Sequence, residues 1–197
     1  MTEAAHQMAS NPLPPAHRTP GSVGRSTGVR IAIMDAGGAL LPTGTTGEVV
    51  IRGESVTGGY HNNPAANAAA FTDGWFRTGD QGVLDADGYL TLTGRLKEMI
   101  LRGGENIAPR EIDEVLLTHP AVVEAIAFGV PDEKYGEEVA AAVVLRDTAT
   151  PEELIAHCRE RLAPFKVPKT VFVTTEIPRT ATGKIQRRAV AAAFAPR

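Results

Sequence analysis

The chain changes its hydrophobic period across one short stretch, Gly94-Arg95-Leu96-Lys97-Glu98-Met99-Ile100-Leu101-Arg102-Gly103-Gly104-Glu105-Asn106-Ile107. No other feature limits the possible folds as much. Upstream, apolar residues come in short β-branched runs divided by turn dipeptides, among them Gly79-Asp80 and Asp87-Gly88. Downstream, helical and extended spacings alternate. A chain with two periods divided at one point reads as two bodies. The stretch itself opens on a basic joint, continues as an apolar strand and closes on Gly-Gly. We read residues 94–97 as a hinge and the loop after it as a working surface.

Residues 1–28 are rich in Pro, Ser, Gly and Ala and carry no period, so they read as an irregular segment. From Val29 the spacing predicts strands at 29–34 and 48–52 with a turn at 35–38 between them. Asn63-Pro64 caps a short helix over 65–71. Residues 83–84 and 89–93 form a hairpin about Asp85-Ala86-Asp87-Gly88. Short antiparallel strands at this spacing suit a small barrel or sandwich. Past the hinge, a strand at 99–101 precedes a helix that starts at Pro109. Paired strands follow at 122–130 and 138–145, then a helix over 151–162 with Thr150 as N-cap, a strand at 171–173 and a last helix over 185–194. This is a small α+β domain over 98–197.

At 197 residues the chain suits one large domain or two small ones, and 43% apolar residues are enough for packed cores. A formal charge of −3 argues against a nucleic-acid partner. The sequence holds neither an apolar run long enough for a membrane span nor a signal-peptide pattern. One cysteine, Cys158, cannot form an internal disulfide, which fits a reducing cytoplasm.

Several positions can carry chemistry, and each has a plain reading beside the functional one. In Thr78-Gly79-Asp80 the glycine lets the backbone turn, so the carboxylate can face outward and accept both hydroxyls of a ribose. Taken alone, Asp80 reads first as a plain turn residue. In Pro178-Arg179-Thr180-Ala181-Thr182-Gly183-Lys184 a small-residue loop runs into a helix, and Lys184 can bring a mobile positive charge onto a carboxylate or phosphate. The following Gln186-Arg187-Arg188 reads as a solvated helix face. Arg95 and Lys97 flank Leu96 and are ligand contacts or exposed edge charges. Gly103-Gly104 is a narrow passage for a thin ligand or simply a tight turn. Thr2-Glu3 and, three residues on, His6 carry no local signal, and no metal-ligand cluster accompanies them.

In this order and spacing, these segments resemble the C-terminal part of the AMP-forming acyl-CoA synthetases, members of the acyl-adenylate-forming superfamily. The resemblance rests on Gly47-Glu48-Val49-Val50-Ile51-Arg52-Gly53, Gly58-Gly59-Tyr60, residues 74–80, 94–107, 130–137 and 178–184, and covers essentially the whole chain. Within the family, residues 1–15 and 162–169 are most similar to oxalyl-CoA synthetases (oxalate–CoA ligases), with a generic fatty-acid or other carboxylate–CoA ligase as the other reading. The implied architecture is α+β: a strand-rich, barrel-like remnant of a large N-terminal domain, a hinge and a mobile C-terminal domain. Met1-Thr2-Glu3 resembles the end of a Tyr-Gly-x-Thr-Glu motif. The chain therefore reads as a fragment or truncated product that lacks the upstream phosphate loop and is not a competent ligase alone.

The resemblance also implies roles. The substrates are a small carboxylic acid, ATP with Mg²⁺, and coenzyme A. Thr2 contacts phosphate and Glu3 helps hold Mg²⁺. Asp80 binds the ribose hydroxyls with help from Arg95. Lys184 bridges the carboxylate and α-phosphate, and Lys97 is the pivot. Gly103, Gly104 and Glu105 line the coenzyme A path after rotation. His6 is a candidate donor to the second carboxylate of oxalate. A non-catalytic nucleotide- or partner-binding module with the same fold is the alternative.

Overall fold

Every half-buried strand needs a partner for its backbone and a cover for its apolar face. The computed structural model describes residues 1–5, 7–181 and 183–194 and shows how the two parts of the chain meet that need separately. It divides into Met1–Leu96 and Lys97–Arg197.

The first unit contains β1 (Ala9–Ser10), β2 (Gly24–Ser26), β3 (Arg30–Met34), β4 (Leu40–Leu41), β5 (Gly47–Arg52), helix α1 (Pro64–Ala70), β6 (Phe71–Thr72), β7 (Trp75–Leu84) and β8 (Tyr89–Arg95). All pair antiparallel, in the order β1-β2-β8-β7-β5-β3-β4, with β6 on β7. Val49, Val50 and Ile51 of β5 are all buried, so this central strand is covered on both faces. Asn63 caps α1 as the sequence predicts, accepting the Ala66 N–H, with Pro64 in the first turn.

The barrel expectation is wrong. The sheet is open: β1 and β4 end the order and do not pair with each other. Closure needs tilted edge strands long enough to stagger against one another, and both edges here are two-residue strands. Turn spacing alone is the same for an open meander and a barrel, which is why the sequence pattern did not separate them. The aperiodic 1–28 segment contributes β1 and β2 to this sheet. Gly24 makes that contact possible: its φ is +99°, and a Cβ there would lie 1.9 Å from the Ser10 carbonyl carbon.

The second unit contains β9 (Ile100–Arg102), β10 (Glu105–Ile107), α2 (Pro109–Leu117), β11 (Val122–Asp132), β12 (Gly136–Leu145), α3 (Pro151–Arg159), β13 (Thr170–Thr174) and α4 (Arg187–Phe194). The sheet order is β10-β9-β12-β11, and β13 joins β12 in parallel. The run Val139-Ala140-Ala141-Ala142-Val143 in β12 is fully buried. One side of it belongs to a core with Ile112, Leu116 and Leu154, and the other to a core with Phe128 and Val190. A strand covered on both faces reads as a continuous apolar run, as this one does. Its alanines leave room for helices to approach on either side. Thr150 and Glu153 form a reciprocal capping box at the start of α3. Among the described residues no helix is long and apolar enough to cross a membrane.

Candidate functional site

In the first unit, a bulge presents Asp80. The β5–β7 register runs Gly47↔Gly82, Glu48↔Gln81, then Val50↔Arg77, so Thr78, Gly79 and Asp80 together oppose Val49. Such extra residues kink a strand and re-aim side chains. Gly79 takes a φ of +73° to make the turn. The kink is fastened from below. The Thr78 hydroxyl donates to the Val49 carbonyl at 2.7 Å and accepts the Asp80 N–H at 3.1 Å, while buried Glu48 accepts the Gly79 N–H at 3.0 Å and pairs with Arg77. Asp80 lies directly opposite Arg95 on β8, and the Arg95 Nε donates to Asp80 Oδ1 at 2.7 Å. The Asp80 side chain keeps 21% of its exposure and that of Arg95 60%, so the pair faces solvent and Oδ2 is left to accept a ligand hydroxyl. The glycine of Thr78-Gly79-Asp80 signalled the turn; nothing in the sequence pattern announced Glu48 as its support.

Thr2 and Glu3 lie in a short 3-10 turn, Thr2–Ala4. The Thr57 N–H donates to the Glu3 carbonyl at 2.7 Å, and the Tyr60 hydroxyl donates to Glu3 Oε1 at 3.2 Å. Burial, then the Glu3 charge, raises the Tyr60 phenol above its ordinary value, so the phenol stays a donor. Glu3 thus has one carboxylate oxygen engaged. Among the described residues no group of three His, Cys, Asp or Glu could hold a metal ion. Glu3 fits a cation that arrives with its own oxygen ligands, as Mg²⁺ does on a triphosphate. His6 lies outside the described residues.

A 3-10 turn, Leu96–Glu98, spans the division of the chain, and Lys97 on it is exposed. Gly103 and Gly104 are the two loop residues of the β9–β10 hairpin, with φ of +56° and +89°, and Arg102 pairs with Glu105 across it. Left-handed backbone at both loop positions is what a type I′ turn requires. The neighbouring β11–β12 turn holds the hairpin, through the Gly103 N–H to the Tyr135 carbonyl at 2.8 Å. Arg102 stacks over the Tyr135 ring at 4.2 Å and forks onto Glu138.

Burial opposes the Glu138 charge, but Arg102 and the Val139 N–H outweigh it and hold the carboxyl below its ordinary 4.5. A folded value below the unfolded one adds stability that is fully present above 4.5 and lost as pH falls through the folded value. Asp113, raised mainly by burial, works in the opposite sense. We therefore expect Glu138→Gln to flatten the acid loss of hydrogen-exchange protection in residues 136–145 relative to the parent. Identical pH profiles would refute the assignment.

Lys184 closes a small hairpin. The Thr180 N–H donates to the Lys184 carbonyl at 2.8 Å, the Lys184 N–H to the Thr180 hydroxyl at 3.1 Å, and Arg179 bridges to Ile185. Lys184 is exposed, and among the described residues its ammonium pairs with no carboxylate. The solvated-face reading fails at Arg187, whose side chain is 16% exposed and paired with Asp113 and Glu98. Its acceptors lie far away in sequence, so no local pattern announced them. Cys158 is buried, and burial pushes its thiol up to about 11, which makes it inert in the folded unit.

Known proteins match the chain over nearly its whole length. The family described as AMP-binding enzyme matches residues 1–61, and AMP-binding enzyme C-terminal domain matches 111–184. The chain belongs to the AMP-binding, acyl-adenylate-forming ligase superfamily. It is 58% identical to a probable CoA ligase, CCL9, of Humulus lupulus, and 57% identical to an oxalate–CoA ligase of Arabidopsis thaliana. Each match covers 98% of this chain and 38% of the relative, so the chain spans under half the length of these ligases. The crystal structure of ATP-bound MatB from Rhodopseudomonas palustris matches with a TM-score of 0.90 and 34% identity, over 97% of this chain and 39% of that one.

Proposed function

We propose that this chain forms the C-terminal part of an ATP-dependent, AMP-forming carboxylate–CoA ligase whose acid is oxalate. The geometry that supports the reading most is the solvent-facing Asp80 carboxylate, turned out by its bulge and held by Arg95. That is the chemistry a ribose needs: one carboxylate accepting from vicinal hydroxyls, with its orientation fixed beforehand. The acid is inferred from the 57% identity to an oxalate–CoA ligase.

In this reading the carboxylate attacks the α-phosphate of Mg-ATP to give acyl-adenylate and pyrophosphate, and coenzyme A then displaces AMP. Asp80 and Arg95 hold the ribose. Thr2 donates to phosphate, and the free oxygen of Glu3 joins the Mg²⁺ that ATP carries. Lys184 neutralises charge that builds where carboxylate meets α-phosphate. Rotation about Lys97 then withdraws Lys184 and brings the Gly103-Gly104-Glu105 turn to the pantetheine path. Side-chain-free glycines suit a thin chain there. His6 donates to the second carboxylate of oxalate, a contact that a hydrocarbon acid does not offer.

The test is oxalate-dependent pyrophosphate release, AMP formation and thioester formation by the full-length ligase that carries this chain, with acetate and a long-chain acid as comparisons. Oxalate should lead. Nucleotide binding without pyrophosphate release from any acid would favour a non-catalytic module instead.

A further inference from the structure

Arg187 stands three residues beyond Lys184, in the first turn of α4. Its guanidinium is surrounded by acceptors. Asp113 Oδ2 accepts from Nη2 at 2.5 Å, Asp113 Oδ1 and the Ala127 carbonyl accept from Nη1 at 3.2 and 2.8 Å, and Glu98 Oε2 accepts from Nε at 2.9 Å. Asp113 also accepts the Ala127 N–H at 2.6 Å. One side chain therefore ties α4 to α2, to β11 and to the 3-10 turn that holds Lys97. Burial opposes the Arg187 charge, but the bonds to Asp113 and then Glu98 outweigh it and raise its pKa above the ordinary value, so the guanidinium stays protonated.

Stability alone does not explain this network. Desolvating such charges cancels much of their attraction, and apolar side chains of similar volume commonly hold a helix as well or better. What an ionic network adds is a fixed register among the elements it joins. The Lys184 hairpin takes its shape from its own backbone bonds, and two arginines fix where it sits. On its N-terminal side Arg179 donates to Glu124 Oε2 of β11 at 2.6 Å and to the Gly183 carbonyl at 3.3 Å. On its C-terminal side Arg187 reaches β11 as well and also reaches Glu98, the neighbour of Lys97.

We propose that Arg187 is a positioning residue for adenylation. Through Asp113 and Glu98 it locks the Lys184 hairpin to the Lys97–Glu98 turn, so that rotation at the pivot sets the position of the Lys184 ammonium directly. The inference rests on the ligase reading above. A misplacement of the ammonium by about 1 Å costs on the order of 10²-fold in the step that uses it. The thioester step does not use it.

The test compares Arg187→Met, Arg187→Lys, Glu98→Gln and Lys184→Ala in the full-length ligase. Two half-reactions are read: oxalate-dependent ATP–pyrophosphate exchange, and thioester formation from preformed acyl-adenylate. Arg187→Met should lower kcat for exchange by about 10²-fold with KM for ATP nearly unchanged, and should spare thioester formation. Arg187→Lys keeps the charge but loses the fork, so its exchange rate should fall between the two. Equal losses in both half-reactions would mark Arg187 as merely structural and overturn the proposal. So would unchanged exchange in Arg187→Met beside a dead Lys184→Ala. If Arg187→Met does not fold, Glu98→Gln decides, because it alters only the half-exposed arm: a selective loss of exchange supports the coupling and an unchanged rate refutes it. Absence of exchange in the parent enzyme, or full exchange in Lys184→Ala, would instead bring down the ligase reading.

Discussion

Lys184→Ala in the full-length ligase should slow oxalate-dependent adenylation by about 10³-fold and leave thioester formation from preformed acyl-adenylate nearly unchanged. The size follows from electrostatics. A unit charge about 4 Å from another is worth about 4 kcal/mol at an effective dielectric of ~20, and each ~1.4 kcal/mol is tenfold in rate. Loss of a preorganised donor at a site of developing charge falls in the same range, about 10²–10³. Lys184 is exposed on a hairpin whose shape comes from backbone bonds, so its truncation should leave the fold intact. The unfolding curves of parent and variant should therefore overlay throughout. Lys184→Arg keeps a charge but carries it on a planar fork of different reach, and should recover little of the rate. Equal slowing of both half-reactions would argue against a role confined to adenylation.

Leu154→Ala should destabilise the second unit by about 3–4 kcal/mol and leave the first untouched. Leu154 is fully buried on the face of α3 that also carries Cys158, in one core with Ile107, Leu116, Ala141, Val143 and Val171. Removing it takes apolar contact from the core and leaves a cavity, and such changes cost about 2–5 kcal/mol against a domain total of about 5–15 kcal/mol. With two units a single midpoint is not a defined quantity, but the sequence supplies a reporter for each. The one tryptophan, Trp75, lies in the first unit, and the one cysteine, Cys158, in the second. In the folded unit Cys158 is shielded by burial, with its thiol pushed up to about 11. Alkylation therefore reports opening of the second unit. Its rate should rise about 10²–10³-fold in Leu154→Ala while the Trp75 fluorescence transition stays in place. A shift of the Trp75 transition by the same amount, or unchanged alkylation, would contradict this account of the core.

Much of the fold was legible because local physics dictates it. Pro at the first turn of three helices, Asn63 and Thr150 as caps, the Asp85–Gly88 turn and the apolar run of β12 are decisions between near neighbours. Membership of a ligase superfamily was legible for another reason: several short motifs recur in one order. Sheet closure was not legible. Whether β1 meets β4 depends on edge length and stagger across the whole sheet, and turn spacing carries no record of either.

At the candidate site, reading along the chain yields the residue types and their places: an acid after Thr-Gly, a lysine after a small-residue loop, two glycines after a basic strand. Packing decided how they are held. The bulge that turns Asp80 outward exists because β5 and β7 pair out of step, with buried Glu48 holding the Gly79 N–H from a strand some thirty residues earlier. The burial of Arg187 exists because α2, β11 and the 3-10 turn at Lys97 converge on it. Such contacts join residues remote along the chain, and a hydrogen-bond acceptor's chemistry is the same whether a solvent molecule or a guanidinium will fill it. Only the packed chain settles which.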